Sequence, residues 1–240
     1  MRFDILTLFP SMFEGPLTES ILKKGREKGL FVIDIHDIRE KTTDKHRTAD
    51  DAPFGGGVGM VMKIEPLASF LKELKTPKTK TILMTPSGKQ LTQERVKQLS
   101  NEEHIVVICG HYEGVDERIS GLIDEELSIG DYVLTGGEMP AMVLIDSICR
   151  YIPGVVKEMD SVEGDSFGNG LLDFPHYTRP ADFDGQKAPE VLQNGNHEDI
   201  RRWRRKESLK KTLFVRPELL PKADLTHEDK ELFREIVLGL

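Results

Sequence analysis

The chain has 240 residues, 38% of them hydrophobic, 31% charged and 7% aromatic, enough for one sizeable core and a smaller second unit. No stretch approaches the ~20 apolar residues of a membrane span, the opening Met1-Arg2-Phe3-Asp4 starts no signal-peptide pattern, and the two cysteines, Cys109 and Cys149, are too few for a disulfide framework and lack metal-ligand spacing. A net charge of −8, from 33 Lys and Arg against 41 Asp and Glu, argues against a generic polyphosphate binder, and a cytoplasmic location without membrane contact is expected.

In chain order, the first half alternates strand and helix signals. Short β-branched or aromatic runs at 3–9 and 30–35 predict strands, with Phe31, Ile33 and Ile35 alternating. Further strands are predicted at 80–85 and 105–109. Helical patterns lie at 18–28, 65–75, 92–99 and 139–151. Ile105-Val-Val-Ile-Cys109 is apolar throughout, which predicts a strand covered on both faces, as in a parallel sheet packed between helices. This order is that of an α/β domain. From Asp160 to Gly170 there are three glycines, two serines and no helical period, so a mobile linker is predicted. Beyond it no strand is evident. Asn196, with Asp199 three positions on, resembles a helix N-cap with an acidic first turn. That helix is predicted to run to about 212, and Thr226 to cap a last helix to 237. Two units are expected, 1–160 and 170–240, joined by a linker at 161–169.

Three turns at strand carboxyl ends stand out, because in open α/β sheets ligands bind there. They are Thr85-Pro86-Ser87-Gly88, then Gly110-His111-Tyr112-Glu113-Gly114, and the longer run from Ser128 to Glu138. Gly-rich turns are common in every α/β protein, so one would decide nothing; three together favour a small-molecule site. The glycine run Gly55-Gly-Gly-Val-Gly59 has neither Walker nor dinucleotide spacing and reads as a surface loop. From Gly195 to Arg216 eight basic residues stand against three acidic ones. Arg201, Arg204 and Arg205 share a helix face there, beside an apolar stripe of Ile200 and Trp203. A solvated face and an RNA contact fit this pattern about equally. Arg150 at a helix end has an ordinary explanation in an ion pair with Asp146, and Asp165 in a solvated loop.

The same segments carry a resemblance. Leu8-Phe-Pro-x-Met-Phe13, His46-Arg-Thr-x-Asp-Asp51, Gly55-Gly-Gly-x-Gly-Met60 and Tyr112-Glu-Gly-x-Asp-Glu-Arg118 are followed by Ser128-Ile-Gly-Asp-Tyr-Val-Leu134 and Gly136-Gly-Glu-x-Pro-Ala-Met142. Pro175-His-Tyr-Thr-Arg-Pro180 and Gly195-Asn-His-x-x-Ile-Arg-Arg-Trp-Arg204 complete the series. Collinear over the whole chain, these blocks resemble the bacterial tRNA (guanine-N(1)-)-methyltransferases that act at position 37, within the SPOUT superfamily.

The resemblance implies an α/β fold with a mostly parallel sheet and a deep trefoil knot, followed by a small helical domain. It implies S-adenosylmethionine as methyl donor, held by Thr85, Pro86, Ser87 and Gly88, by Gly110, Tyr112, Glu113 and Gly114, and by residues of the third turn. Those are Ser128, Ile129, Gly130, Tyr132 and Leu134, then Gly136, Gly137 and Pro140. It implies that Asp165 is the general base removing the guanine N(1) proton and that Arg150 stabilises charge on the guanine carbonyl. Asp50, Asp173 and His176, with Arg201, Arg204 and Arg205, are the tRNA-binding residues it suggests. Magnesium dependence is implied with no ligands assigned, as is a homodimer with its active site across the interface. At His111 the chain departs from an arginine present in some relatives, and His111 is left out of the expected site. Two other readings remain open at this stage: a knotted ribose 2′-O-methyltransferase, and a non-catalytic RNA-binding protein that has no affinity for the methyl donor.

Overall fold

In the computed structural model, which describes residues 1–158 and 164–239, the chain divides into two units, Met1–Lys157 and Glu158–Leu240. The first contains β1 (Arg2–Thr7), α1 (Ser20–Glu27), β2 (Val32–Asp37), β3 (Asp50–Asp51), β4 (Val61–Met62) and α2 (Ile64–Leu74). It continues with β5 (Thr79–Gln90), α3 (Gln93–Leu99), β6 (His104–Cys109), β7 (Glu125–Ser128) and α4 (Glu138–Cys149).

Five strands form one sheet in the order β2-β1-β6-β5-β7, every pairing parallel. The apolar run in β6 behaves as its composition predicts. Ile105, Val107 and Cys109 join the core shared with α1, α3 and α4, whereas Val106 and Ile108 face the core under α2. Successive side chains of a strand point to opposite faces, so a strand covered twice carries no polar positions. Beside buried threonines such as Thr7 and Thr81, Asp4 places a charge inside the sheet that must be neutralised. It is fully buried in β1, yet His36 Nε2 of β2 lies 2.6 Å from one carboxylate oxygen, His104 Nε2 of β6 2.7 Å from the other, and Arg2 donates as well. Burial alone would raise this carboxyl; the hydrogen bonds from His36, Arg2 and His104 outweigh it and hold the group well below the usual range.

Several elements differ from their sequence-based outlines. β5 continues through the turn expected at 85–88. Met84 and Lys89 both pair with Leu127, so the intervening residues bulge out of the ladder and Pro86 sits where no backbone donor is needed. β7 ends at Ser128, where the third turn implies a strand end, but its Glu-Glu-Leu-Ser carries too little β-propensity to show its extent; pairing with β5 and the Arg95–Glu125 ion pair hold it in the sheet. The glycine run connects the two-residue strands β3 and β4 as a loop, with Phe54 and Val58 fully exposed. Its base is tied down, since Glu113 N donates to Met60 O at 3.0 Å and Met62 N to Gly114 O at 2.9 Å.

The second unit is mainly helical: α5 (His197–Val215) and α6 (His227–Leu238), with core residues Leu171, Leu209 and Leu232. A short hairpin, β8 (Asp182–Phe183) with β9 (Gln186–Lys187), corrects the expectation of no strands there; two-residue strands leave no hydrophobic period to read. Asn196 caps α5 as its side chain predicts, accepting from Glu198 N at 3.1 Å, and the helix continues three residues beyond the predicted 212. Thr226 and Asp229 form a reciprocal capping box on α6. Of the predicted linker, 161–163 lie outside the described residues. From Asp165 the chain makes a tight turn, with Gly168 N donating to Asp165 O at 3.0 Å and Phe167 N to Leu171 O at 2.7 Å. Among the described residues no helix is long and apolar enough to cross a membrane.

Candidate active site

Because β5, β6 and β7 are parallel neighbours, their carboxyl ends open on one edge of the sheet. The segments leaving them line a cavity of about 270 Å³. Thr85 and Pro86 come from the β5 bulge, Gly110, Tyr112, Glu113 and Gly114 from the turn after β6, and Ser128, Ile129, Gly130, Tyr132, Leu134, Gly136, Gly137 and Pro140 from the segment after β7. Ser87 and Gly88, from the same predicted set, do not line it. Gly88 instead packs on β7, where an added Cβ would stand 2.5 Å from Leu127 N. The segments are pressed together by backbone contact. Gly137 N donates to Gly110 O at 2.7 Å, and a Cβ on Gly137 would stand 2.7 Å from Cys109 Cα. Ser128 closes the start of its turn, its hydroxyl donating to Gly130 O and accepting from Gly130 N.

The cavity's wall includes a residue that sequence reasoning left out. His111 lies in it, its ring 4.8 Å from that of Phe9 and 4.9 Å from that of Tyr112. Behind His111 stands Glu138, only 1% exposed, whose carboxylate accepts from Thr7 Oγ1 at 2.8 Å. Burial, and then the negative charge of Glu138, push the Cys109 thiol far above the ordinary thiol range.

The other predicted residues fall in both units. Arg150 is the C-cap of α4 and Asp50 lies in β3, both in the first unit. In the second unit, half-buried Asp165 begins the turn described above, and the next residue, Ser166, accepts from Asp173 N at 2.9 Å. Asp173 Oδ2 lies 2.7 Å from His176 Nε2, and the His176 ring is 4.6 Å from that of Phe174. Exposed Arg204 lies over Phe174, 4.9 Å from the ring centroid. Asp173, His176 and, from α5, Arg204 thus lie around Phe174, and Asp165 precedes the Ser166 that is bonded to Asp173.

Arg201 and Arg205 turn elsewhere. Arg201 pairs with Glu198 and Glu228, and Arg205 makes a two-pronged bond to buried Asp229 of α6. Arg202 and Lys206 share Glu235. The basic helix is thus partly neutralised by α6, which the local charge count could not register.

Among the described residues, no group of three or more His, Cys, Asp or Glu is gathered to hold a metal ion. None of the described residues is therefore assigned to magnesium, and no step below depends on the ion.

Comparison with known proteins decides the family. Residues 1–222 match the family described as tRNA (Guanine-1)-methyltransferase TrmD. The chain belongs to this family. It is 54% identical over 239 residues to the tRNA (guanine-N(1)-)-methyltransferase of Geobacter sp. (strain M21), spanning 98% of this chain and 96% of the relative. The protein of the same description from Dictyoglomus turgidum is 54% identical over 236 residues, again 98% and 96% of the two chains. That of Pelotomaculum thermopropionicum is 51% identical over 245 residues, covering 100% and 98%. Family membership makes the chain a methyltransferase of SPOUT type, with S-adenosylmethionine as its methyl donor. The parallel sheet and helical second unit agree with that assignment. Of the lining residues absent from the sequence-based set, His111, Val133 and Thr135 sit inside the predicted turns, where position in the chain was the available signal, whereas Leu83, Met84, Val115 and Leu127 lie beside those turns in apolar positions that read as core.

Proposed function

We propose that the chain transfers the methyl group of S-adenosylmethionine to N(1) of guanine 37 in tRNA, next to the anticodon, a modification that supports reading-frame maintenance. The observation that carries this is the cavity at the carboxyl ends of β5, β6 and β7 in a chain of this family. Its size approaches that of small-ligand sites. Its glycine-lined walls bring backbone amides and carbonyls within reach of a flat heterocycle, and apolar Leu83, Met84 and Leu127 lie beneath. The donor supplies an electrophilic methyl on a sulfonium sulfur. On this reading the three segments are the crossings of the trefoil knot.

Guanine N(1) carries a proton and is a weak nucleophile until that proton is removed. Asp165 is the base that accepts it. Negative charge then gathers on the guanine carbonyl oxygen, to which Arg150 donates hydrogen bonds. Asp50, Asp173 and His176 position the target nucleotide. Arg204, exposed on α5, meets the RNA backbone, while Arg201 and Arg205 serve the same face by holding α5 to α6. The homodimer belongs to the same reading, with the active site completed across the subunit interface. Exposed Tyr132, Val133, Met139 and Val143 supply apolar surface for it in the first unit. The magnesium requirement and a cytoplasmic location are retained as parts of this reading.

The test incubates the protein with labelled S-adenosylmethionine and an unmodified tRNA transcript bearing guanine 37, then maps the methylated atom. Methyl on N(1), lost in Asp165→Asn while donor binding persists, is the expected result. Methyl on a ribose 2′ oxygen, or no transfer despite binding of both partners, overturns the assignment.

A further inference from the structure

Given the donor reading of the cavity, on which this rests, we propose that buried Glu138 makes the cavity prefer a cationic sulfonium ligand over the neutral thioether left after transfer, with His111 setting how much of that negative charge the ligand meets. Glu138 is 1% exposed, and among the described residues no lysine or arginine pairs with it. One carboxylate oxygen is engaged by the Thr7 hydroxyl, which itself accepts from Phe9 N at 2.9 Å. The other lies 3.8 Å from His111 Nδ1, too far for a hydrogen bond, and that nitrogen is buried without any other partner.

Two further features keep negative charge at this position. Glu138 is the first residue of the twelve-residue α4, where the helix dipole favours an anion. Gly136, whose backbone lies against both Glu138 and His111, leaves no room for a side chain to shield the carboxylate. Gly136 and His111 line the cavity, so Glu138 stands one layer behind its wall in a water-poor setting where a charge is weakly screened.

The chemistry of the transfer makes such a charge useful. When the methyl leaves with its new bond to nitrogen, the sulfur keeps the bonding electron pair and the ligand loses one positive charge. A fixed anion stabilises the sulfonium and does nothing for the thioether, so it favours loading of donor and departure of product. Glu113 is a carboxylate on the lining itself, Tyr112 and Tyr132 are phenols there, and Asp131 is an exposed neighbour. The experiment must therefore isolate Glu138 from Glu113.

Calorimetric titration of the full-length protein with S-adenosylmethionine and with S-adenosylhomocysteine gives the ratio of their Kd values. Glu138→Gln, which keeps the shape and removes the charge, is expected to lower the preference for the sulfonium on the order of tenfold. His111→Arg, which places a permanent cation beside an intact Glu138, is expected to lower it in the same direction and carries the test alone if Glu138→Gln does not fold by circular dichroism. An unchanged ratio in the folded variants, or equal loss of both ligands, overturns the role of Glu138. Failure of the unsubstituted protein to bind either ligand overturns the donor reading itself.

Discussion

Arg204 and Arg205 are adjacent, equally basic and opposite in expected role, and substituting each separates helix pairing from RNA contact. Arg205 donates from Nε to Asp229 Oδ1 at 2.7 Å and from Nη2 to Oδ2 at 2.9 Å, and Asp229 is 1% exposed. The Arg205 hydrogen bond is the largest influence on that carboxyl. Burial opposes it, the Thr226 amide and hydroxyl reinforce it, and the group is held at about 2 against an ordinary 3.8. At 1.36 kcal/mol per unit, this displacement corresponds to about 2 kcal/mol. Leaving a buried carboxylate without its cation adds to the loss, so Arg205→Met is expected to cost about 2 to 3 kcal/mol at neutral pH. The folded value is depressed, so the stabilisation is complete above pH ~4 and drains away as the pH falls towards 2. Urea unfolding followed by far-ultraviolet circular dichroism at pH 7 and again near pH 2.5 measures both the loss and its disappearance. Arg204→Ala, at an exposed site, is expected to change stability by no more than ~0.5 kcal/mol and to weaken tRNA binding with a shallower salt dependence. Wild-type stability in Arg205→Met together with lost tRNA affinity would refute the pairing argument.

Other outcomes follow from the same geometry. Both cysteines are buried, Cys109 with its thiol pushed far up and Cys149 with its thiol pushed up to about 12, so neither should react with iodoacetamide at pH 8 until urea unfolds the chain, as read by mass spectrometry. Gly137→Ala would force a Cβ to 2.7 Å from Cys109 Cα, and loss of donor binding by calorimetry is expected even where the chain still folds. Asp4→Asn removes the charge that His36, His104 and Arg2 surround; because the Asp4 carboxyl is depressed in the folded chain, its stabilising share is present above pH ~4 and shrinks below it, so the variant and the unsubstituted protein should converge in urea midpoint in acid. If the active site is shared across a homodimer, mixing inactive Asp165→Asn with inactive Arg150→Ala and allowing subunits to exchange should restore about a quarter of the activity, whereas sites confined to one subunit would restore none.

Much of the architecture was legible in the sequence because it rests on local rules. The unbroken apolar run at 105–109 demanded cover on both faces, Asn196 and Thr226 announced helix starts through their capping side chains, and three glycine-bearing turns marked strand ends. Collinear motifs place the chain beside its family. What the sequence could not register are relations between residues far apart in the chain. Charge counting treats Arg201, Arg204 and Arg205 alike; only the packing of α6 on α5 neutralises two of them and leaves Arg204 over Phe174. The turn at Ser128 marks where edge strand β7 ends, but its extent is set by pairing with β5 and not by its own weak propensity. Glu138 and His111 are 27 positions apart and 3.8 Å apart in space. Periodicity and capping are written into neighbouring residues and survive without a fold, whereas the charge a buried carboxylate presents to a cavity depends on the elements that exclude water from it, and these meet only in the tertiary structure.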